Sequence, residues 1–391
     1  MPIFKYRTAF EIARNIKAFL DVEVGLTHGG VRGPRKPKSR DPGPGRSPRP
    51  VAGGGAEPNG LRSEPILAGS ATCQPDSTDE VVPLFFLIGR SKSGTSWLMR
   101  LLNSHPEILC RGEGMFFERS SPRSLLRALS RSEEVQRWLG RNPWTRQAPN
   151  TGLEAMLGAF VRQAMRRRLE EAKKRNGTKR IVGDKSPFKT PEMVEEVSTV
   201  CPEAKIVHIV RDGRDVVVSS AHHRWNNATD VGGHRNLTPD QVAKREAYRS
   251  DPSAFLATGE SIFAEGHVAE IARSWNESVG GTVENAASLG ENYYELRYED
   301  LLAKPVAEMR RLLEFLGADS GEKVARESVE AASFEQLSGG RAQGEEDSAS
   351  FYRKGIAGDW KNHFTEEDRR AFKEEAGELL IQLGYERDLD W

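Results

Sequence analysis

Residues 86–97, FLIGRSKSGTSW, carry the groups that hold an anion. Gly89 and Gly94 have the spacing of the two glycines in the phosphate-binding pattern G-x-x-x-x-G-K-[ST]. Thr95, however, stands where the lysine belongs, and Lys92 comes three residues early. Glycine lets a backbone approach an anion, and successive N–H groups ahead of a helix N-terminus form a positive nest. Ser93, Thr95 and Ser96 add hydroxyl donors. Two parts of a magnesium–triphosphate site are missing. No lysine directly precedes the hydroxyl residue, and the apolar run KIVHIV ends on Arg211 before Asp212 rather than on an acid. The ligand this pattern suits has phosphate groups and little need of a divalent metal.

Two further groups of residues fit such a ligand. Arg211 closes a strand-like run, and Ser219 lies two helical turns into the next element, so both can meet a phosphate beside the first loop. In FYRKGIAGDWKNHFT, Arg353 offers a bidentate fork, Lys354 a point charge and Gly355 a close backbone approach.

The elements that must position these residues are alternating strands and helices. Residues 81–89, VVPLFFLIG, form a continuous apolar run ending in glycine, the pattern of a buried parallel strand. Helical periodicity follows at Trp97, Leu98, Leu101 and Leu102, and Pro106 closes it. Residues 153–174 read as an amphipathic helix. RIVGDKSP reads as a short strand ending in a polar loop, AKIVHIVRD as a second buried strand and GRDVVVSSAHHRW as its helix. ENYYELRYEDLL reads as strand then turn, and VAEMRRLLEFLG as a helix capped by Gly317. The polar stretch between Trp225 and His267 reads as a long loop over the site. The expected fold is α/β: one P-loop NTPase-like domain over residues 81–391, with a central parallel sheet flanked by helices.

Ahead of it, residues 1–26 carry a possible amphipathic helix, with Ile12, Ile16, Phe19 and Leu20 on one face and basic residues around them; weak contact with a membrane surface is open to it. Residues 27–80 are Pro/Gly/Arg-rich with little apolar surface to offset ordering, and the expectation there is a disordered linker. Charge balance, 57 Lys+Arg against 57 Asp+Glu, gives no field that argues for nucleic acid. Three scattered cysteines and no run of eighteen apolar residues point to a reducing, cytoplasmic setting without an integral membrane segment. Four N-x-[ST] triplets, at Asn176, Asn227, Asn236 and Asn276, read as chance matches.

KSGTSW, VRDGRDVVVS and RKGIAGDWKNHFT, in this order, resemble the sulfotransferases that use 3′-phosphoadenosine 5′-phosphosulfate (PAPS). The resemblance covers about four-fifths of the chain, and three motifs in the right order make it specific. It implies transfer of a sulfuryl group to a hydroxyl or amine, with adenosine 3′,5′-bisphosphate (PAP) as product and no metal. Lys92, Ser93, Gly94, Thr95 and Ser96 would cradle the 5′-phosphosulfate. Arg211 and Ser219 would bind the 3′-phosphate, joined by Arg353, Lys354 and Gly355. Trp97, Tyr298 and Phe334 match positions that pack on adenine, and Ala332 stands where the cytosolic branch has a polar contact.

The base departs from the cytosolic branch, which uses a histidine in Thr-His-x-Pro. GDKSPF here has none and, with CRGEGMFF, resembles the tyrosylprotein and bacterial branches. That resemblance puts the base on Glu113 and a supporting cation on Lys185, with Asp184 as second choice. A carboxylate between Gly112 and Gly114, ahead of Met115-Phe116-Phe117, is expected to be partly desolvated and so a stronger base. His222 and His223 read as structural or as acceptor-site lining. The acceptor, whether small molecule, lipid or glycan, stays open. The oligomeric state does too, because Glu366 and Arg370 replace the Val and Glu of the cytosolic K-x-x-x-T-V-x-x-x-E contact that Lys361 and Thr365 otherwise fit. A P-loop small-molecule kinase and a non-catalytic nucleotide-binding protein are the alternatives.

Overall fold

Every residue from Leu84 to Ile88 is buried, so the strand they form must lie at the centre of a sheet with both faces covered. In the computed structural model, which describes residues 82–141, 149–188, 191–228, 237–286 and 289–391, it does. The helix expected in residues 1–26 and the linker expected over 27–80 lie outside the described residues.

Five strands, β1 (Leu84–Arg90), β2 (Ile108–Gly112), β3 (Ile181–Phe188), β4 (Lys205–Val210) and β5 (Tyr293–Arg297), pair in the order β2-β3-β1-β4-β5. All four pairings are parallel. Alternate side chains of β1 face opposite layers. Phe85 and Leu87 meet Leu98, Leu101 and Leu102 of α1 (Thr95–Ser104). Phe86 and Ile88 meet Val161 and Met165 of α2 (Pro149–Lys173) and Val197 of α3 (Glu192–Val200). A third cluster, around Trp225, Tyr248, Trp275 and Phe372, joins α4 (Gly213–Asn227), α5 (Pro239–Ser250), α6 (His267–Trp275) and α9 (Glu366–Gln382), the last following α7 (Pro305–Leu316) and α8 (Glu322–Ala331). The domain is a single α/β fold with a parallel sheet flanked by helices. Among the described residues no helix is long and apolar enough to cross a membrane, and Cys110 and Cys201 are unpaired and buried.

Three readings of local structure need correction. β3 does not stop at a polar loop: Asp184, Lys185 and Ser186 stay in the ladder opposite Phe86, Leu87 and Ile88. β5 leads not into a turn but into a helix, Tyr298–Ala303. The polar stretch after Trp225 is largely helical, with α5 followed by Pro252–Ala257; residues 229–236 lie outside the described set. Thr238 accepts from the Gln241 N–H while the Gln241 side chain accepts from Thr238 N–H, and Pro239 opens the first turn. Asp251 caps the shorter helix through Ala254 N–H, and Tyr248 and Phe255 supply the buried anchors. Gly317 ends α7 in the left-handed conformation at φ 77°, as the sequence requires. Thr365 caps α9 reciprocally with Asp368, which accounts for this threonine without a partner subunit.

Candidate active site

The carboxyl ends of β1, β2, β3 and β4 open on one cavity of about 470 Å³. It is lined by Lys92, Gly94, Thr95, Ser96, Trp97, Glu113, Lys185, Arg211, Ser219, Tyr298, Phe334, Arg353, Lys354 and Gly355, which are widely separated in the sequence. Ser93 is the one predicted site residue behind the surface: it is fully buried and its Oγ has no partner.

The loop between β1 and α1 sets the cradle. Ser93 N–H donates to Arg90 O at 3.0 Å, and Leu98 N–H to Gly94 O at 3.0 Å. Lys92 and Gly94 both have positive φ, 77° and 96°. A Cβ on Gly94 would meet Tyr298 Cδ2 at 2.6 Å, so glycine is required for space as well as for conformation. The Lys92 ammonium lies 5.0 Å from the Phe351 ring centroid. Burial, and then the charge of Arg211, push its pKa down to about 8.

Arg211 is fixed from several sides. Its Nη1 donates to Lys92 O at 3.2 Å and its Nη2 to Ile356 O at 3.3 Å, and it stacks 4.4 Å over Tyr298. Nη2 also pairs with Asp215 at 3.5 Å. Asp212, next to Arg211 in the chain, caps α4 and pairs with Arg214. Asp215, which the sequence motifs did not single out, is fully buried and also accepts Gly358 N–H at 2.8 Å and Trp360 N–H at 3.0 Å. It therefore ties Arg211 to the segment that carries Arg353 and Lys354. Its position four residues after Arg211, where two side chains on a helix meet, was the available signal.

Arg353 and Lys354 are both mostly buried and share two carboxylates. Arg353 pairs with Asp359 and, at 3.0 Å, with Glu346. Lys354 Nζ lies 2.8 Å from Asp359 and 3.5 Å from Glu346. Burial alone would raise Asp359, but His363 and Arg353 hold it well below the usual carboxylate range. Glu346 in turn accepts from the buried Tyr248 hydroxyl at 2.9 Å, which links α5 to this cluster. The two histidines on α4 part company. His222 is buried among Trp225, Tyr248 and His363 and is pushed down to about 2 by burial and then by Arg353, so it belongs to the core. His223 lines the cavity.

At the opposite wall Trp97 and Tyr298 pack edge to face at 5.6 Å. Trp97 Nε1–H donates to Ala332 O at 3.0 Å, so the backbone at the alanine orients the indole even though its side chain is apolar. Phe334 lies under Gly355, whose φ is 67° and where a Cβ would approach the ring to 2.4 Å. Gly355→Ala should therefore lower the Tm by several degrees, reflecting about 1–2 kcal/mol of backbone strain plus the clash. A thermal melt coincident with the unmodified protein would contradict this.

The third wall holds the acid–base candidates. Lys185 Nζ donates to Glu113 Oε1 at 2.8 Å, and Glu113 N–H donates to Lys185 O at 2.7 Å. The expected desolvation of Glu113 is not found: its side chain is 50% exposed, against 7% for Lys185, because the glycine turn lifts it off the three apolar residues that follow. Asp184 is the buried carboxylate. It accepts from Gly114 N–H at 3.0 Å and from the Ser186 hydroxyl, which makes it an anchor for the turn. The turn needs one: Glu113, Met115 and Glu118 all have positive φ. Such conformations persist only when surrounding bonds over-determine them. Leu125 and Leu126 N–H groups bond Met115 and Phe116 carbonyls, and Arg119 N–H bonds Glu196.

A glycine loop at the carboxyl edge of a parallel sheet, beside the strand-order switch around β1, is the arrangement of a P-loop-like α/β fold. The sulfotransferase domain family matches residues 83–384, and the chain belongs to that family. It is 26% identical over 277 residues to protein-tyrosine sulfotransferase A of Caenorhabditis elegans, covering 69% of this chain and 59% of that one. It is 29% identical over 181 residues to cytosolic sulfotransferase 1 of Arabidopsis thaliana, covering 42% and 46%. The chain spans about half the length of the curated relatives it matches. Among solved structures, mouse sulfotransferase SULT7A1 complexed with PAP overlaps 79% of this chain and 89% of that one, with 20% identity and a TM-score of 0.44.

Proposed function

We propose that the protein is a metal-independent, cytoplasmic sulfotransferase that moves the sulfuryl group of PAPS to a hydroxyl or amine on a small-molecule, lipid or glycan acceptor. One observation carries the reading: the cradle at Lys92, the cations Arg211, Arg353 and Lys354, and the Glu113–Lys185 pair all face one cavity. The buried groups without partners fit a phosphate-bearing ligand. Ser93 Oγ and Arg211 Nε have none, and the lack of a side chain at Gly94 and Gly355 lets the Tyr298 and Phe334 rings close against the backbone of the loops that line the cavity. The cytosolic name of the Arabidopsis relative supports the compartment.

When bound, the donor would supply a sulfuryl group, which carries one negative charge fewer than a phosphoryl and so needs less neutralisation. Residues 92–96 would hold its 5′ end, and Arg211, Ser219, Arg353, Lys354 and Gly355 its 3′-phosphate. Trp97, Tyr298 and Phe334 would sandwich the purine. Lys92 places a cation where a phosphate oxygen gains charge. Glu113 accepts the proton of the acceptor, and Lys185 holds that carboxylate in place at the cavity.

Calorimetry in EDTA tests the donor site. The protein should bind PAP tightly and ATP weakly, and Arg353→Ala should weaken PAP by about tenfold or more, the loss of a charge-assisted hydrogen bond to phosphate. Tighter, magnesium-dependent ATP binding would overturn the proposal in favour of a kinase.

A further inference from the structure

Three arginines line the cavity, and two of them have carboxylate partners: Arg211 pairs with Asp215, and Arg353 with Asp359 and Glu346. Among the described residues Arg90 forms no ion pair. It ends β1 on the face it shares with Phe86 and Ile88, half-buried, with its backbone carbonyl used by Ser93. Its Nε is buried without a partner, and among the described residues no hydrogen bond engages the guanidinium. Burial holds Arg90 below the ordinary arginine range; Glu270 on α6 acts against this from beyond ion-pairing distance. Burying a cation that finds neither a carboxylate nor a full set of acceptors is costly, and in an open cavity an incoming oxyanion is what offsets it.

The donor's own anions are already provided for. Under the sulfuryl-transfer reading, on which this inference rests, the cradle and the Arg211–Arg353–Lys354 cluster take both ends of the nucleotide. Arg90 is left over among the cations of a cavity that Ile271 of α6 and His223 of α4 also line. We infer that Arg90 is a specificity-determining residue that binds an oxyanion on the acceptor, so that the substrate is an anionic alcohol, phenol or amine. A planar guanidinium matches the two oxygens of a carboxylate, sulfate or phosphate, which fixes orientation as well as adding affinity. Lys185 and Glu113 then meet the acceptor's hydroxyl while Arg90 holds its charged end.

The test uses PAP-saturated full-length protein and matched probes that differ only in charge: benzoate against benzamide, and phenylacetate against phenylacetamide. Calorimetry should show the acid binding about tenfold tighter than its amide, the margin of a charge-assisted contact. Arg90→Gln should bring the two within about twofold, and Arg90→Lys should keep most of the preference, which a folding defect would not do. Equal binding of acid and amide, or no binding of the acid, overturns the inference. A preference that survives in Arg90→Gln overturns it as well. An arginine serving the donor's sulfuryl group would instead weaken PAPS but not PAP in Arg90→Gln, with no discrimination between acid and amide. If the unmodified protein fails to bind PAP, the sulfuryl-transfer reading fails. The acid–amide comparison without nucleotide still reports on Arg90.

Discussion

Lys92→Met should lower kcat for sulfuryl transfer by about two to three powers of ten, the usual cost of removing one preorganised charge-stabilising group. Its affinity for PAP should change far less, because the backbone nest at residues 93–96 and the cations at Arg211, Arg353 and Lys354 remain. The contrast separates a charge needed when the bond breaks from one needed only for binding. Steady-state rates with saturating donor, set beside calorimetric PAP binding, read both. A kcat within about threefold of the unmodified enzyme would remove Lys92 from the chemistry.

The same lysine sets a pH limb. Its pKa is pushed down to about 8, so the ammonium is lost as pH rises through that value in the free enzyme. kcat/KM should therefore fall above about pH 8, and the limb should be absent in Lys92→Met. Stability moves in the opposite direction. Between about 8 and the ordinary value of 10.5 the unfolded chain binds a proton here that the folded chain does not, so stability rises with pH across that window. Below it the full cost of the buried charge is present. Lys92→Met should consequently melt higher than the unmodified protein at pH 7, with the gap closing as pH approaches 10.5. Lower activity combined with higher stability marks a functional charge rather than a structural one.

What could be read from the sequence was local or periodic. The run ending at Gly89 declares a buried strand, and the loop declares an anion nest, because a continuous apolar stretch and a glycine spacing each depend on neighbours in the chain. Polar side chains inside a strand were harder to place. Asp184 to Ser186 break the apolar pattern of β3 because the carboxyl edge of the sheet is where the cavity begins, so a functional constraint replaced the packing one. Helix α5 was hidden by sparse apolar residues, although Thr238, Pro239 and Gln241 together spell a helix start. The long-range hydrogen bonds of the buried carboxylates were out of reach. Asp215 to Gly358 and Glu346 to Tyr248 join residues about a hundred or more positions apart, and nothing in either local stretch names the other. Arg90 shows the same limit from the other side: an arginine beside a glycine loop draws no notice until the structure leaves its Nε buried without a partner among the described residues.

Glu113→Gln should reduce kcat by about two to four powers of ten, the range expected when a positioned general base is removed. Glutamine keeps the shape and can still accept from Lys185, so the turn with three positive-φ residues should hold and the Tm should stay close to that of the unmodified protein. Lys185→Met should lower kcat as well, and because the two side chains share one contact at 2.8 Å the double variant should be little worse than Glu113→Gln alone. Asp184→Asn supplies the contrast. That carboxylate is buried and bonded to Gly114 N–H and Ser186, so its loss should appear first as a lower Tm and a loosened turn. With both variants assayed below their melting temperatures, kcat should survive in Asp184→Asn and collapse in Glu113→Gln. The reverse pattern would transfer the base to Asp184 and leave Glu113 as the exposed partner of a buried lysine. The geometry favours the first outcome: of the two carboxylates, Glu113 lines the cavity, while both oxygens of Asp184 are already committed within β3 and the turn.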